Sequence, residues 1–446
     1  MSAAAGRQAS AGLPDADFFA VESLLSQAER NKLAELRDFL AAEIAPHAGD
    51  WWNNAEFPAH ILPKLAALEL STPAQRGYSH LFAGLVIAEM TRVDTSIATF
   101  FLVHHDLFVQ SLHAFGSPGQ KERLLADASD LRTTGAFALT EPLHGSDVAG
   151  GMETTARRIS SATGEDDDGG DAWVLNGAKR WIGNGRSATT CSCGRATNRP
   201  RRTTRPGRCG GSSWTQHCRA SPAAGWKTDC AAHGAERGHR LQGRQGGRGR
   251  PVHAGQQLRR HQGAPAQFTD YGGLAGRGQQ LAAFDVAGNT PWNAAVWPAA
   301  GPLPADPAAA GDHAGQRRGQ HGMLVQLARL QEEGSADMAQ VALAKSYASA
   351  RMRETVALGR SILGGNGIVT DYRMAKIFAD AEAIYTYEGS YEINTLIVGG
   401  PSPGFRRSPE ARVSGSAYAG YGCFSPASTR MSRLLFRTGM GRCRRA

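Results

Sequence analysis

Phe137-Ala138-Leu139-Thr140-Glu141-Pro142-Leu143-His144-Gly145-Ser146-Asp147 is where the character of the chain changes. Before it, apolar residues recur at helical spacing. Ser26 and Glu29 form a capping-box pattern, Leu33, Leu36, Leu40 and Ile44 repeat every three or four residues, and Pro46 ends the run. Further helices are predicted over 61–70, 81–90, 96–114 and 119–128, punctuated by Pro58, Pro63, Pro73 and Pro118. From Ala136 to Thr140 the pattern becomes a short strand that runs into a turn rich in Pro, Gly, Ser and Asp. Farther on, 172–175 and 179–182 flank Asn176-Gly177, the preferred pair for a two-residue hairpin, after an acidic loop at 164–170.

After Gly183 the periodicity is lost. Ile is absent between Ile182 and Ile362, and Lys227 is the single lysine before Lys345. Fifteen Arg and one Lys stand against Asp229 and Glu236 between Gly183 and Gln262, and nine Arg against Glu410 after Gly400. These two segments supply the whole basic excess of a chain whose net charge is +9, so the rest is acidic. They also hold all seven cysteines, without the paired spacing of a zinc site. Two readings compete. Arg240 to Arg250 resembles Arg-Gly-rich nucleic-acid-binding tracts. Alternatively, GC-rich codons read out of frame yield Arg, Gly, Ala and Pro, and rarely Ile or Lys. The second reading is preferred, because a β-domain begun at 135–182 is otherwise left unfinished. On either, regular structure is not expected from Gly183 to about His321, the 172–182 hairpin is left with an unpaired edge, and the helices of 323–363 lack bundle partners.

Order returns near Met323. Leu324, Leu327 and Leu330 have helical spacing, Gly334 is a fitting stop, and Ser335 can cap a helix carrying Met338, Val341, Ala342 and Lys345 on to Leu363. Gly364-Gly365-Asn366-Gly367 breaks it, and helices follow over 371–382 and 391–398. No run of apolar residues reaches membrane-spanning length, and the first twenty residues lack the apolar core of a secretory leader.

Three motifs bear on chemistry, and each has an ordinary reading. The Thr140-Glu141-Pro142 and Gly145-Ser146-Asp147 groups are turn formers. Trp181, in Lys179-Arg180-Trp181-Ile182-Gly183-Asn184, suits a strand core, with Lys179 and Arg180 as surface charges. In Ile384-Tyr385-Thr386-Tyr387-Glu388-Gly389-Ser390, a carboxylate flanked by aromatics is a helix start or a base with raised pKa beside an apolar pocket.

In this order and spacing the motifs, with Gly364-Gly365-Asn366-Gly367, resemble the acyl-CoA dehydrogenase and oxidase family, most of all its plant-type peroxisomal short-chain oxidases. The likeness extends to 55–65 and to 92–107, and covers about 17–186 and 323–399. It implies an α+β fold: an N-terminal α-helical domain (17–134), a central β-domain of which 135–186 is the first half, an aberrant or disordered segment (187–321), a C-terminal α-helical bundle (322–400) and an aberrant tail (401–446). It further implies FAD as cofactor. Phe137, Ala138, Leu139, Thr140, Gly145 and Ser146 would line the isoalloxazine, and Trp181, Ile182 and Gly183 would cover it. Ile362, Gly364, Gly365 and Asn366 would meet the flavin of a neighbouring subunit, and Ser390, Tyr391 and Glu392 would lie near its diphosphate. Ser146 and Gly389 would meet the substrate, and Glu388 would be the catalytic base.

The reaction so implied is α,β-dehydrogenation of a short-chain acyl-CoA to the trans-2-enoyl-CoA, as in fatty-acid β-oxidation. The electrons would pass to oxygen or to an electron-transfer flavoprotein. The alternatives are a mitochondrial-type acyl-CoA or glutaryl-CoA dehydrogenase and, outside enzymes, an Arg-rich nucleic-acid-binding protein. The family further implies a homo-oligomer, dimer or tetramer, with neither a nucleic-acid nor a membrane partner, and a peroxisomal location with the mitochondrion as alternative. Where glutaryl-CoA dehydrogenases place an Arg after the Arg-Val-Asp phrase, this chain has Ala98, which implies uncharged acyl chains.

Overall fold

The computed structural model describes residues 20–147, 151–159, 172–185, 188, 190–193, 215–216, 239–246, 271–289, 320 and 322–399. Its N-terminal part is helical, as the spacing predicts. Helix α1 (Gln27–Phe39) starts on the Ser26–Glu29 capping box and buries Leu33 and Leu36. Short helices α2 (Ala48–Asn54) and α3 (Leu62–Ala67) follow. Helix α4 (His80–Val93) is buried almost all round from Phe82 to Thr91. The Asp94 side chain then accepts from Ile97 N–H and opens α5 (Thr95–Leu102). A π-helical turn (Val103–Val109) carries the same rod into α6 (Gln110–Phe115), and a second capping box, Ser117 with Gln120, starts α7 (Pro118–Ser129).

Among the described residues the β-part comprises two three-stranded sheets. In one, β1 (Gly135–Ala138) pairs in parallel with β4 (Thr190–Cys193), which pairs with β5 (Thr215–Gln216). In the other, β3 (Ala172–Lys179) lies between β2 (Thr155–Ile159) and β6 (His239–Gly246), antiparallel to both. This corrects two expectations. Asn176-Gly177 does not turn the chain; it lies inside β3 at a register shift against β6. Gly177 has φ +155°, and a Cβ there would fall 2.4 Å from Thr154 Oγ1, so a residue without a side chain lets the neighbouring chain approach. Nor is the 172–179 strand left with an unpaired edge, because β6 covers it. The acidic loop at 164–170 lies outside the described residues.

The larger correction is α8 (Tyr271–Asn289), inside the segment read as lacking structure. It packs between α4 and α10 (Met338–Ile362) and buries Leu274, Ala275, Leu281, Ala282 and Ala283. Glycines set the fit on both sides. A Cβ on Gly84 of α4 would fall 2.1 Å from Leu274 Cδ1, and one on Gly278 of α8 would fall 2.2 Å from Ala88 O. Four glycines in the first eight residues of α8, and Arg277, Gln279 and Gln280 at buried positions, leave it without the helix formers and apolar stripe that a sequence reading relies on. The 187–321 span is therefore not uniformly without structure, and the C-terminal helices do have a bundle partner. After helix α9 (322–332) the left-handed Gly334 stops the chain, and Asp337, rather than Ser335, caps α10. Helices α11 (Met374–Thr386) and α12 (Tyr391–Val398) lie against α10.

Candidate active site

The site has two halves, built on either side of α5. On the β side, His104 fixes the start of β1. Its Nδ1 accepts from Gly135 N–H at 2.9 Å and its Nε2 donates to Ala128 O at 2.8 Å, the arrangement of a neutral ring; burial holds its pKa down at about 4. Along β1 burial alternates, so Ala136 and Ala138 point inward while Phe137 is half-exposed, as are Leu139 and Thr140 beyond it. The turn after Thr140 is pinned from below. Glu141 accepts from Glu153 N–H at 2.6 Å, from Thr154 N–H at 2.9 Å and from Lys179 Nζ at 2.8 Å. Lys179 also donates to Leu139 O at 2.9 Å, and Arg180 N–H to Thr140 O at 2.9 Å. Burial works to raise the Glu141 pKa, but Lys179 and Thr154 outweigh it and hold the carboxyl below its ordinary range.

Lys179 is thus corrected from a surface charge to a buried one, 2% exposed. Arg180 is half-exposed, with its guanidinium 4.4 Å from the Trp181 ring centroid. Trp181 itself is not a core residue. It takes φ +58° and is 57% exposed, and Leu143 of the preceding turn is 81% exposed. Gly145 and Ser146 are exposed too, and Ile182 and Gly183 half-exposed.

On the other half, α11 ends at Thr386, and Tyr387 is extended. Glu388 and Gly389 then both take left-handed conformations, φ +55° and +82°, and Ser390 caps α12 by accepting from Ile393 N–H at 3.4 Å. A glutamate held there stores roughly 1–2 kcal/mol of backbone strain. Its Oε2 is enclosed and has no hydrogen-bond partner among the described residues. Burial pushes the Glu388 pKa up to about 7, against the pull of Lys345. Lys345 of α10 is 1% exposed, and its Nζ donates to Gly389 O at 2.7 Å and Tyr385 O at 3.3 Å.

The α5 rod joins the halves. Thr99 Oγ1 lies 3.4 Å from Tyr387 OH, beside the glutamate. One turn on, Val103 backs the Trp181 loop, since a Cβ on Gly183 would fall 3.0 Å from Val103 Cγ2. Asn184 ties that loop to Gly135 O at 3.1 Å. One rod thus meets the Trp181 loop through Val103 and Tyr387, the neighbour of Glu388, through Thr99. Tyr391 and Glu392 occupy the first turn of α12. Ile362, Gly364, Gly365 and Asn366 do not join them. They end α10 seventeen residues beyond Lys345, about 25 Å along the helix axis. Sequence reasoning missed His104 and the role of Lys345. The signal for Lys345 was present: it occupies a core position between Val341 and Ala348, where the helical spacing calls for an apolar residue.

Comparison with known proteins finds relatives of the two helical parts. Residues 26–130 match the N-terminal domain of acyl-CoA dehydrogenase, and 312–400 its C-terminal domain. The mouse short-chain specific acyl-CoA dehydrogenase, mitochondrial, is 32% identical over 171 residues, 37% of this chain and 39% of that one. An acyl-CoA dehydrogenase of Bacillus subtilis is 31% identical over 159 residues, 34% and 39% of the two chains. This chain's match thus spans about two-fifths of the length of these curated relatives. Among solved structures, glutaryl-CoA dehydrogenase from Mycobacterium smegmatis superimposes with a TM-score of 0.68 at 23% identity, covering 86% of this chain and 97% of that one. Butyryl-CoA dehydrogenase from Megasphaera elsdenii gives 0.66 at 20% identity, covering 84% and 98%. The fold is that of the acyl-CoA dehydrogenases.

Proposed function

We propose, for a chain whose residues 26–130 and 312–400 belong to the acyl-CoA dehydrogenase family, that it removes a proton and a hydride from adjacent carbons of a short-chain acyl-CoA. The observation that carries the reading is Glu388. It is a carboxylate in a strained turn after α11, with an enclosed oxygen that has no partner among the described residues and a pKa near neutrality, and its neighbour Tyr387 meets the rod that also backs the Trp181 loop. The α-proton of a thioester is weakly acidic, so its removal needs such a base, poised near the working pH and screened from water.

The exposed side chains fit a flat aromatic cofactor. Trp181 and Leu143 are large apolar groups left open beside half-exposed Phe137, Leu139 and Thr140. FAD would be held there, and when bound supplies the hydride acceptor that side chains lack. The chain's own part is to anchor that wall through Lys179 and Glu141, and to keep the Glu388 carboxyl aimed and dry. Ala98, buried at 1%, offers no cation to a distal carboxylate, which favours uncharged chains such as butyryl. The relatives are dehydrogenases, the mouse one mitochondrial by name. They favour a protein electron carrier as acceptor and the mitochondrion as location over the oxygen and peroxisome suggested by the motifs.

The test is Glu388→Gln. With FAD bound, the variant is expected to keep the visible flavin spectrum and to lose anaerobic bleaching by butyryl-CoA by several orders of magnitude. Bleaching at near-normal rate removes Glu388 from the mechanism. Hydrogen peroxide formed at each turnover in air would instead identify an oxidase.

A further inference from the structure

We propose that Lys345 is a positioning residue for Glu388, holding the turn that presents the carboxylate and countering its charge inside the protein. The inference rests on Glu388 as the base and adds the group that makes it usable. Three observations meet at this lysine. It is a charged side chain at a core position of α10, almost wholly enclosed. Its Nζ donates to main-chain carbonyls on both sides of the base, Tyr385 O and Gly389 O. The Gly389 carbonyl is gripped a second time by Asn394 Nδ2 at 2.8 Å, which also donates to Ser390 O at 3.1 Å. The second of two consecutive left-handed residues, Gly389, is thus clamped at its carbonyl by a lysine and an amide, and strain of that kind persists only where the surroundings impose it.

The electrostatics follow the same geometry. An enclosed carboxylate oxygen without a hydrogen bond among the described residues, as at Glu388 Oε2, drives the group toward its neutral form, which cannot take a proton. Lys345 opposes this. Burial lowers the Lys345 pKa to about 8 while Glu388 and Glu392 raise it, so the lysine is itself close to losing its proton. The other charged groups here are few. Glu392 stands at the start of α12, and Arg353 of α10 acts on it from a position over the Tyr385 ring. Tyr385, in the last turn of α11, and Tyr387 precede the turn, and α5 faces it with the uncharged Thr99. On the other side of α10, α8 brings Arg277 and Asp285, neither of which shifts either member of the pair.

Coupling between two titrating groups is reciprocal, which gives a test that needs no turnover. Lysine labelled with carbon-13 at Cε is followed by NMR against pH in the full chain, with Lys345→Arg to assign the signal. In Glu388→Gln the Lys345 midpoint is expected to fall by about one pH unit or more relative to the unsubstituted protein. An unchanged midpoint overturns the proposal, whatever the activity of that variant. In the FAD-loaded enzyme, Lys345→Gln keeps a donor for Gly389 O but no charge. It is expected to move the acid limb of kcat/KM upward by about one pH unit, and Lys345→Arg to move it back. A loss of kcat with the limb in place would make Lys345 merely structural and also overturn the proposal. If Lys345→Gln does not fold, the NMR comparison decides alone. Loss of turnover in Glu388→Gln concerns the base, and the Lys345 midpoint concerns the clamp, so the two readings fail separately.

Discussion

At the scale of the single residue, Glu388 combines three features that stability alone would avoid: a left-handed glutamate, an enclosed oxygen without a partner among the described residues and an elevated pKa. Such features persist where function requires them. The pH dependence has a definite sign. Burial raises the pKa of an acid in the folded state, so the proton-accepting form is lost as the pH falls through about 7, where a solvated glutamate would remain ionised. We expect kcat/KM for butyryl-CoA to drop about tenfold for each unit of pH below that point. Stopped-flow flavin reduction between pH 5 and 9 measures it; a limb centred near the ordinary glutamate pKa would show Glu388 to be solvated. The sequence singled out Glu388 from its aromatic neighbours. The helical spacing set Lys345 at a core position, but that it grips the carbonyls around Glu388 depends on how α10 passes under the turn.

At the scale of the element, the Glu141–Lys179 pair joins the turn after β1 to the end of β3, and both side chains are nearly fully enclosed. Neutralising one member leaves the other buried and uncompensated, at roughly 3–5 kcal/mol. Lys179→Met is therefore expected to destabilise the β-part by about that amount, and to weaken FAD binding by freeing the Leu139 carbonyl it holds. Thermal denaturation and flavin titration check both effects; unchanged flavin affinity would separate this pair from the cofactor wall. Here sequence reasoning went astray for a physical reason. Lysines are rarely buried, and the acid that makes this burial tolerable stands 38 residues earlier in the chain. Asn176-Gly177 misled in the same way: the pair suits a tight turn, but β2 and β6 on either side hold β3 extended through it.

At the scale of the whole molecule, α8 is the common wall between the N-terminal helices and the C-terminal bundle. Thr95 Oγ1 donates to Gln279 Oε1 at 2.7 Å, and Gln279 Nε2 to Ile377 O at 2.6 Å, so α5, α8 and α11 are joined in one line. Beside it, Asp94 and Asp380 flank Lys376 at 3.3 and 2.6 Å. Burial alone would lower the Lys376 pKa, but the two carboxylates outweigh it and hold it at about 12. A defect in α8 should therefore be felt on both sides. Leu274→Asp, which places a charge against Gly84, is expected to cost several kcal/mol and to melt both helical parts in one transition. Circular dichroism followed on heating tests this; two separate transitions would show that the parts fold independently.

The sequence by itself determined the helices with a polar stripe, their caps, the change to β structure at Gly135 and the three motifs that carry the family resemblance. These are local: hydrophobic period, capping chemistry and turn residues are properties of neighbours in the chain. Only the tertiary structure decided the rest. Packing against α4 and α10 makes a helix of the Gly-rich α8, a lysine becomes a core residue only when an acid or a pair of carbonyls reaches it from elsewhere, and a glutamate's pKa rises only where packing removes its water.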